Sequence, residues 1–235
     1  CKRLFQLTYY NADEIDDNSL IAIFSDHPEL NKPFDKIFIG YDYPQSMLIP
    51  GPFYRDGEPE VLLKTMYGTS KSSVVISEII EGRQLYNSYA VPKKMQEWMS
   101  RKFPAAKYFH HYTCLMKNIT AAGESGKLSI DFREKDFSII AAKENKLLLA
   151  QTFLYSTPED VVYYLLRICR QFSLSQMEVQ ISLSGLIEKQ SALYRELYQY
   201  FIHLEFRNAG WAIAGADEYP AHFFASLNDL TQCGS

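Results

Sequence analysis

The side chains able to do chemistry are scattered in this sequence. The five histidines are His27, His110, His111, His203 and His222. None stands in HxxxH or HExxH spacing, and adjacent His110 and His111 diverge on either a helix or a strand, so no shared metal is expected. The cysteines, Cys1, Cys114, Cys169 and Cys233, form no CxxC pair. Cys169 falls on the apolar face of a predicted helix, so buried, reduced thiols are expected, as suits a cytoplasmic protein. There is no Gly-x-Ser-x-Gly elbow and no P-loop, which leaves a serine or cysteine nucleophile without support. The formal charge is −4 with no basic tail or Lys/Arg run, so no nucleic-acid partner is expected. Most of the aromatic residues belong in the core. Tyr41, Tyr43, Phe53 and Tyr54, beside Pro-rich turns, are expected at the surface, where aromatic clusters without basic charge favour a protein partner.

The elements that must position these residues are clearest over 127–206. Segments 127–131 (KLSID) and 136–142 (DFSIIAA) flank the polar stretch 133–135 and predict a hairpin. A second turn at 143–146 leads to 147–154 (LLLAQTFL), a third antiparallel strand. Thr157 then suits an N-cap, Pro158 the first helical position, and Asp160 the N3 place facing unpaired N–H groups. Val161, Leu165, Cys169 and Phe172 follow at helical spacing. Val179, Ile181 and Leu183 alternate with polar residues as a strand, and 190–200 can form a second helix. Elsewhere, 60–67 reads as a short helix, 72–80 and 83–90 as a hairpin, and the stretch from Pro92 to Lys102 as a helix. Segment 105–119 is ambiguous and leans to helix; 220–230 is a terminal helix. No apolar run reaches the roughly 18 residues of a membrane span.

Shifting the chain by 144 positions overlays its start on this unit. Lys2 meets Lys146, Leu4 meets Leu148, Thr8 meets Thr152, Asp16 meets Asp160 and Ile37 meets Ile181. Asp13 takes the cap place of Thr157. The repeat predicts a strand over 4–10, a central strand at 38–40 and a match from 4–54 to 148–198. It also implies about twenty upstream residues forming the hairpin that 1–122 lacks and 123–235 has.

A duplicated unit of three strands, helix, strand and helix resembles the actin-like ATPase fold. The resemblance implies a mixed α/β chain of two ribonuclease H-like halves, 1–122 and 123–235, the first with an inserted hairpin and helix at 72–103. Ala90-Val91-Pro92, Phe103-Pro104 and Phe109-His110-His111 are similar to the pilus-assembly and type II secretion members. Asp131-Phe132, Gln151-Thr152-Phe153, Leu183-Ser184-Gly185 and the segment from Phe223-Phe224 to Gln232-Cys233 resemble a family of uncharacterised Bacteroidetes proteins, a domain of unknown function. That family brings no activity to carry over. The wider superfamily binds ATP with Mg between its halves, through hairpins whose Asp and Gly residues approach the phosphates. On that resemblance Asp131 and Arg133 occupy the second phosphate hairpin, with arginine where glycine is expected. Ser184 and Gly185 keep one glycine of the adenosine-site pattern, and Leu186 crowds it. Asp131 and Glu178 could imitate ribonuclease H-like acids. The expectation is a degenerate protein without cofactor that works through protein contacts. The alternative is a working ATPase or kinase.

Overall fold

The computed structural model describes residues 2–4, 6–10, 17–68, 72–118, 122–213 and 219–234. In chain order the elements are β1 (Lys2–Leu4), α1 (Asp17–Asp26), β2 (Phe38–Tyr41), β3 (Ser46–Pro50), α2 (Glu58–Tyr67), β4 (Ser73–Ile80), β5 (Leu85–Pro92), α3 (Lys93–Lys102), β6 (Lys107–His110) and α4 (His111–Asn118). Then follow β7 (Lys127–Phe132), β8 (Asp136–Lys143), β9 (Lys146–Leu154), α5 (Pro158–Gln171), β10 (Gln180–Gly185), α6 (Ala192–Tyr200), β11 (His203–Phe206), β12 (Trp211–Ile213) and α7 (Ala225–Cys233). The chain gathers into two compact units, Gln6–Thr113 and Cys114–Cys233, the second joined by the N-terminal strand. No helix of the described residues is long and apolar enough to cross a membrane. The whole is a mixed α/β architecture, as the sequence predicts.

The C-terminal unit is built on a five-stranded sheet in the order β11-β10-β7-β8-β9. β7, β8 and β9 run antiparallel through the two predicted turns, while β10 lies parallel to both β7 and β11. Side chains alternate across a strand. On one face Leu128, Ile130, Phe132, Phe137, Ile139, Ile181 and Leu183 form a single apolar core with Val161, Leu165 and Ile168 of α5 and Leu193 and Leu197 of α6. The other face carries Ser129, Asp131, Ser138, Ser182 and Ser184, all buried.

α5 starts where its cap residues predict. Asp160 N donates to Thr157 Oγ1 at 3.4 Å, and Thr157 N returns a bond to Asp160 Oδ2 at 3.0 Å. Pro158 fills the first turn, where a missing N–H loses nothing.

The N-terminal unit holds a three-stranded antiparallel sheet, β3-β5-β4, and the parallel pair β2-β6. Tyr89 and Val91 of β5 pack with Val74 and Ile76 of β4 and with Met95, Trp98 and Met99 of α3. α2 also packs on β4 and β5. Tyr54, just before α2, stacks on Tyr86 at 3.8 Å, and Tyr86 alternates with Tyr89 and Val91 along β5, which places α2 on the sheet's other face.

Several expectations fail here. β1 ends at Leu4 and residues 6–10 form no strand; Tyr9 and Tyr10 are exposed instead. β2 has β6 as its one ladder neighbour among the described residues, so 38–40 is not a central strand. The repeat register carries 190–198 onto 46–54, yet that stretch forms β3 and a 3-10 turn, Gly51–Phe53, and holds Pro50 and Pro52, which a helix interior would not tolerate. Segment 105–119 divides into β6 and α4. The division falls at His110, whose Nδ1 accepts from Tyr112 N at 3.1 Å. Glu78 of β4 accepts from His110 N at 2.6 Å and from Thr113 Oγ1 at 2.9 Å. The bond from Tyr112 N satisfies a first-turn donor of α4, and the two bonds to Glu78 tie the β6–α4 junction to β4. Strand β11 went unforeseen. Tyr41 is buried, its hydroxyl donating to Gln96 Oε1 at 2.7 Å, while Phe53 is 73% exposed as expected. Asp13 and Asp16 lie outside the described residues.

Candidate functional site

The parallel pairing of β7 with β10 brings the four residues singled out in the sequence to one place. Ser184 stands opposite Asp131 and Gly185 opposite Phe132. This is the C-terminal end of two parallel strands, where α/β sheets present their ligand-binding loops. Ser184 Oγ donates to Asp131 Oδ1 at 2.6 Å and approaches Ile130 O at 3.1 Å. Arg133 begins the β7–β8 turn. Its Nε meets Asp136 Oδ1 at 2.5 Å, and its Nη2 donates to Ser138 Oγ at 2.8 Å. Its Nη1 stands 4.0 Å from Asp131 Oδ2.

Register explains the arrangement. Ser184, Asp131, Ser138 and Thr152 face one another in a row across β10, β7, β8 and β9. Ser138 and Thr152 share a hydrogen bond of 3.0 Å. The row is short-chained and polar, and Arg133 folds back over it. Tyr155 closes the turn from the other side, its hydroxyl donating to Arg133 O at 2.8 Å. Burial raises the Tyr155 phenol; the Asp136 and Glu134 charges add to the effect, and Arg133 works against it.

Gly185 is required by this packing. Its φ is +78°, and a Cβ there would stand 2.1 Å from Phe132 O and 2.7 Å from Phe132 N. The close approach that glycine permits is made to the backbone of the neighbouring strand. Leu186 N then donates to Phe132 O at 2.8 Å.

Ser138, Thr152, Asp136 and Tyr155 escaped the sequence reading as members of this cluster. The hairpin turn held the signal, since a turn centred on 134–135 puts Asp131 opposite Ser138. Arg207 escaped it as well. It follows β11, donates its N–H to Leu183 O at 2.8 Å, and pairs through Nη2 with the buried Asp229 Oδ1 of α7 at 2.6 Å. His222 reaches Ile187 O at 2.6 Å, and a carbonyl only accepts, so Nε2 carries the proton. Glu178 precedes β10, at the end of that strand away from Asp131. Among the described residues no group of three or more His, Cys, Asp or Glu could hold a metal ion.

Comparison with solved structures shows the fold. A Bacteroides thetaiotaomicron VPI-5482 protein with an actin-like ATPase fold and unknown function is 20% identical, with a TM-score of 0.77. The match covers 93% of this chain and 84% of that one. The PilM-PilN type IV pilus biogenesis complex contains a chain 11% identical with a TM-score of 0.52, over 86% of this chain and 80% of that one. Comparison with curated proteins gave no match. The chain thus has the actin-like ATPase fold, and the family model described as "Protein of unknown function (DUF3822)" matches residues 2–204, so the chain belongs to that family.

Proposed function

We propose that this chain is a catalytically degenerate actin-like protein, at work in the cytoplasm through contacts with other proteins. The observation that carries the reading is the engagement of Arg133. Phosphoryl transfer needs donors and a metal placed around spreading negative charge. At the β7–β8 turn the backbone would have to approach phosphate closely. A guanidinium stands there instead, bonded to Asp136 and Ser138. Asp131, the acid available to a metal, already accepts from Ser184 Oγ and faces Arg133. Gly185 serves Phe132, so its presence does not call for a ligand. On this reading these residues do not fit ATP and Mg.

We take 1–122 and 123–235 as ribonuclease H-like halves, because the 144-residue shift sets α1 within α5 and β2 within β10. We take the partner to be a protein, since the pilus-biogenesis relative occurs as a complex with PilN and large apolar side chains such as Phe53 stand exposed here.

Steady-state phosphate release with Mg-ATP tests the reading. The expected result is no saturable turnover by the full-length protein. Turnover that saturates and disappears in Asp131→Asn would establish the opposite reading, a working ATPase in which Arg133 binds phosphate.

A further inference from the structure

The three-stranded sheet of the N-terminal unit stops at β4, which pairs with β5 and with no second strand among the described residues. Ser73 to Glu78 are all half-buried, on both faces, whereas the middle strand β5 is buried from Asn87 to Val91. That is the exposure of an open edge. Native edges are blunted by lysine, proline, a bulge or an inward charge. The β4 sequence, SVVISEII, has neither lysine nor proline, and its ladder to β5 runs from Ser73 to Ile80 without a register shift. Its one charged side chain, Glu78, is an inward charge of that kind, but its carboxylate accepts from His110 N and Thr113 Oγ1, so it is already paired within its own chain. The edge strand β9 of the other unit differs. It begins at Lys146, and its ladder to β8 slips at Ala141/Ala142.

The surface beside the β4 edge is apolar. Ile79 is 57% exposed and opposite Tyr86, on the face away from the α3 cluster. α2 covers that face. Tyr67 of α2 reaches across to β3, donating its hydroxyl to Ser46 O at 3.0 Å. At 3.6 residues per turn, Leu62 and Met66 then project from the opposite flank, over β4. They are 41% and 62% exposed.

The strand is complementary to itself. Antiparallel pairing of two β4 strands centred on Ser77 sets Val75 opposite the partner's Ile79 and Ser77 opposite Ser77 on one face. On the other face Ile76 stands opposite the partner's Glu78, so like charges never stand opposed, while Ile80 is already fully buried in its own chain. An eight-residue edge is about 27 Å long, and the sheet together with its α2 layer, the part offered to the partner, is about 20 Å deep. Each copy would then cover on the order of 500 Å², which puts the pair near the lower limit of a specific interface, about 1,000 Å² in total.

We propose that β4 with the Leu62–Met66 flank of α2 is a homodimer interface, in which a second copy of the chain adds its β4 antiparallel to form a continuous six-stranded sheet. The interface does not depend on how the Asp131 cluster is read. Sedimentation equilibrium from low to high micromolar protein should show the mass doubling. Ile79→Lys places a charge on each side of the join and should weaken association by more than about tenfold. Hydrogen exchange of the unaltered protein gives a second readout: β4 amides should slow as concentration rises while those of β9 do not. A monomer at every concentration overturns the proposal. A dimer whose β4 amides exchange at a concentration-independent rate also overturns it, whether or not Ile79→Lys folds.

Discussion

Replacing Gly185 with alanine tests the packing at the end of β10. Alanine at φ +78° sits in the left-handed region, which costs roughly 1–2 kcal/mol. The new Cβ would lie 2.1 Å from Phe132 O and 2.7 Å from Phe132 N. Both are backbone atoms, so no side-chain rotation relieves the clash. β10 must move away from β7, and the Leu186 N–H to Phe132 O bond of 2.8 Å is lost. Leaving such buried groups unpaired costs about 1–3 kcal/mol. Together these give about 2–5 kcal/mol, a large part of the roughly 5–15 kcal/mol that holds an ordinary domain folded. Urea unfolding followed by circular dichroism measures it. Gly123→Ala is the control, because nothing stands within 4 Å of a Cβ there, and it should change stability by no more than about 0.5 kcal/mol. A loss below about 1 kcal/mol for Gly185→Ala would show that the two strands do not approach as described.

Leu165→Ala should cost about 2–5 kcal/mol, since Leu165 is fully buried in the core that α5 shares with the sheet; an unchanged unfolding midpoint would contradict that placement. Asp160 gives a pH dependence. The N–H groups of Ser156 and Thr157 hold its carboxyl below the ordinary value of 3.8, so its support of the helix is present above that value and lost as pH falls through the lower, folded value. Carboxyl chemical shifts followed through an acid titration should show Asp160 protonating below 3.8, and in Asp160→Asn the fall of stability over that range should flatten. Protonation at or above the ordinary value would refute the capping argument.

Local chemistry was legible in the sequence. The Thr157–Asp160 box, Pro158, the β7–β8–β9 turns and the alternation through Ile181 and Leu183 lie within a few residues of one another, and each acts on its neighbours whatever the rest of the chain does. The resemblance that named the fold rests on those segments in their order. What sequence alone left open depends on residues far apart in the chain. β3 is a strand because β5 offers it a ladder, and Tyr41 is buried because Gln96 accepts its hydroxyl. In the cluster, Asp131 and Ser184 are 53 positions apart and meet because β10 docks parallel to β7 in one register. A shift by one residue would turn Ser184 to the apolar face and leave Asp131 a different neighbour. The reason for Gly185 is likewise tertiary. Its neighbours in sequence do not demand a bare backbone, and the carbonyl of Phe132, brought against it by the sheet, does.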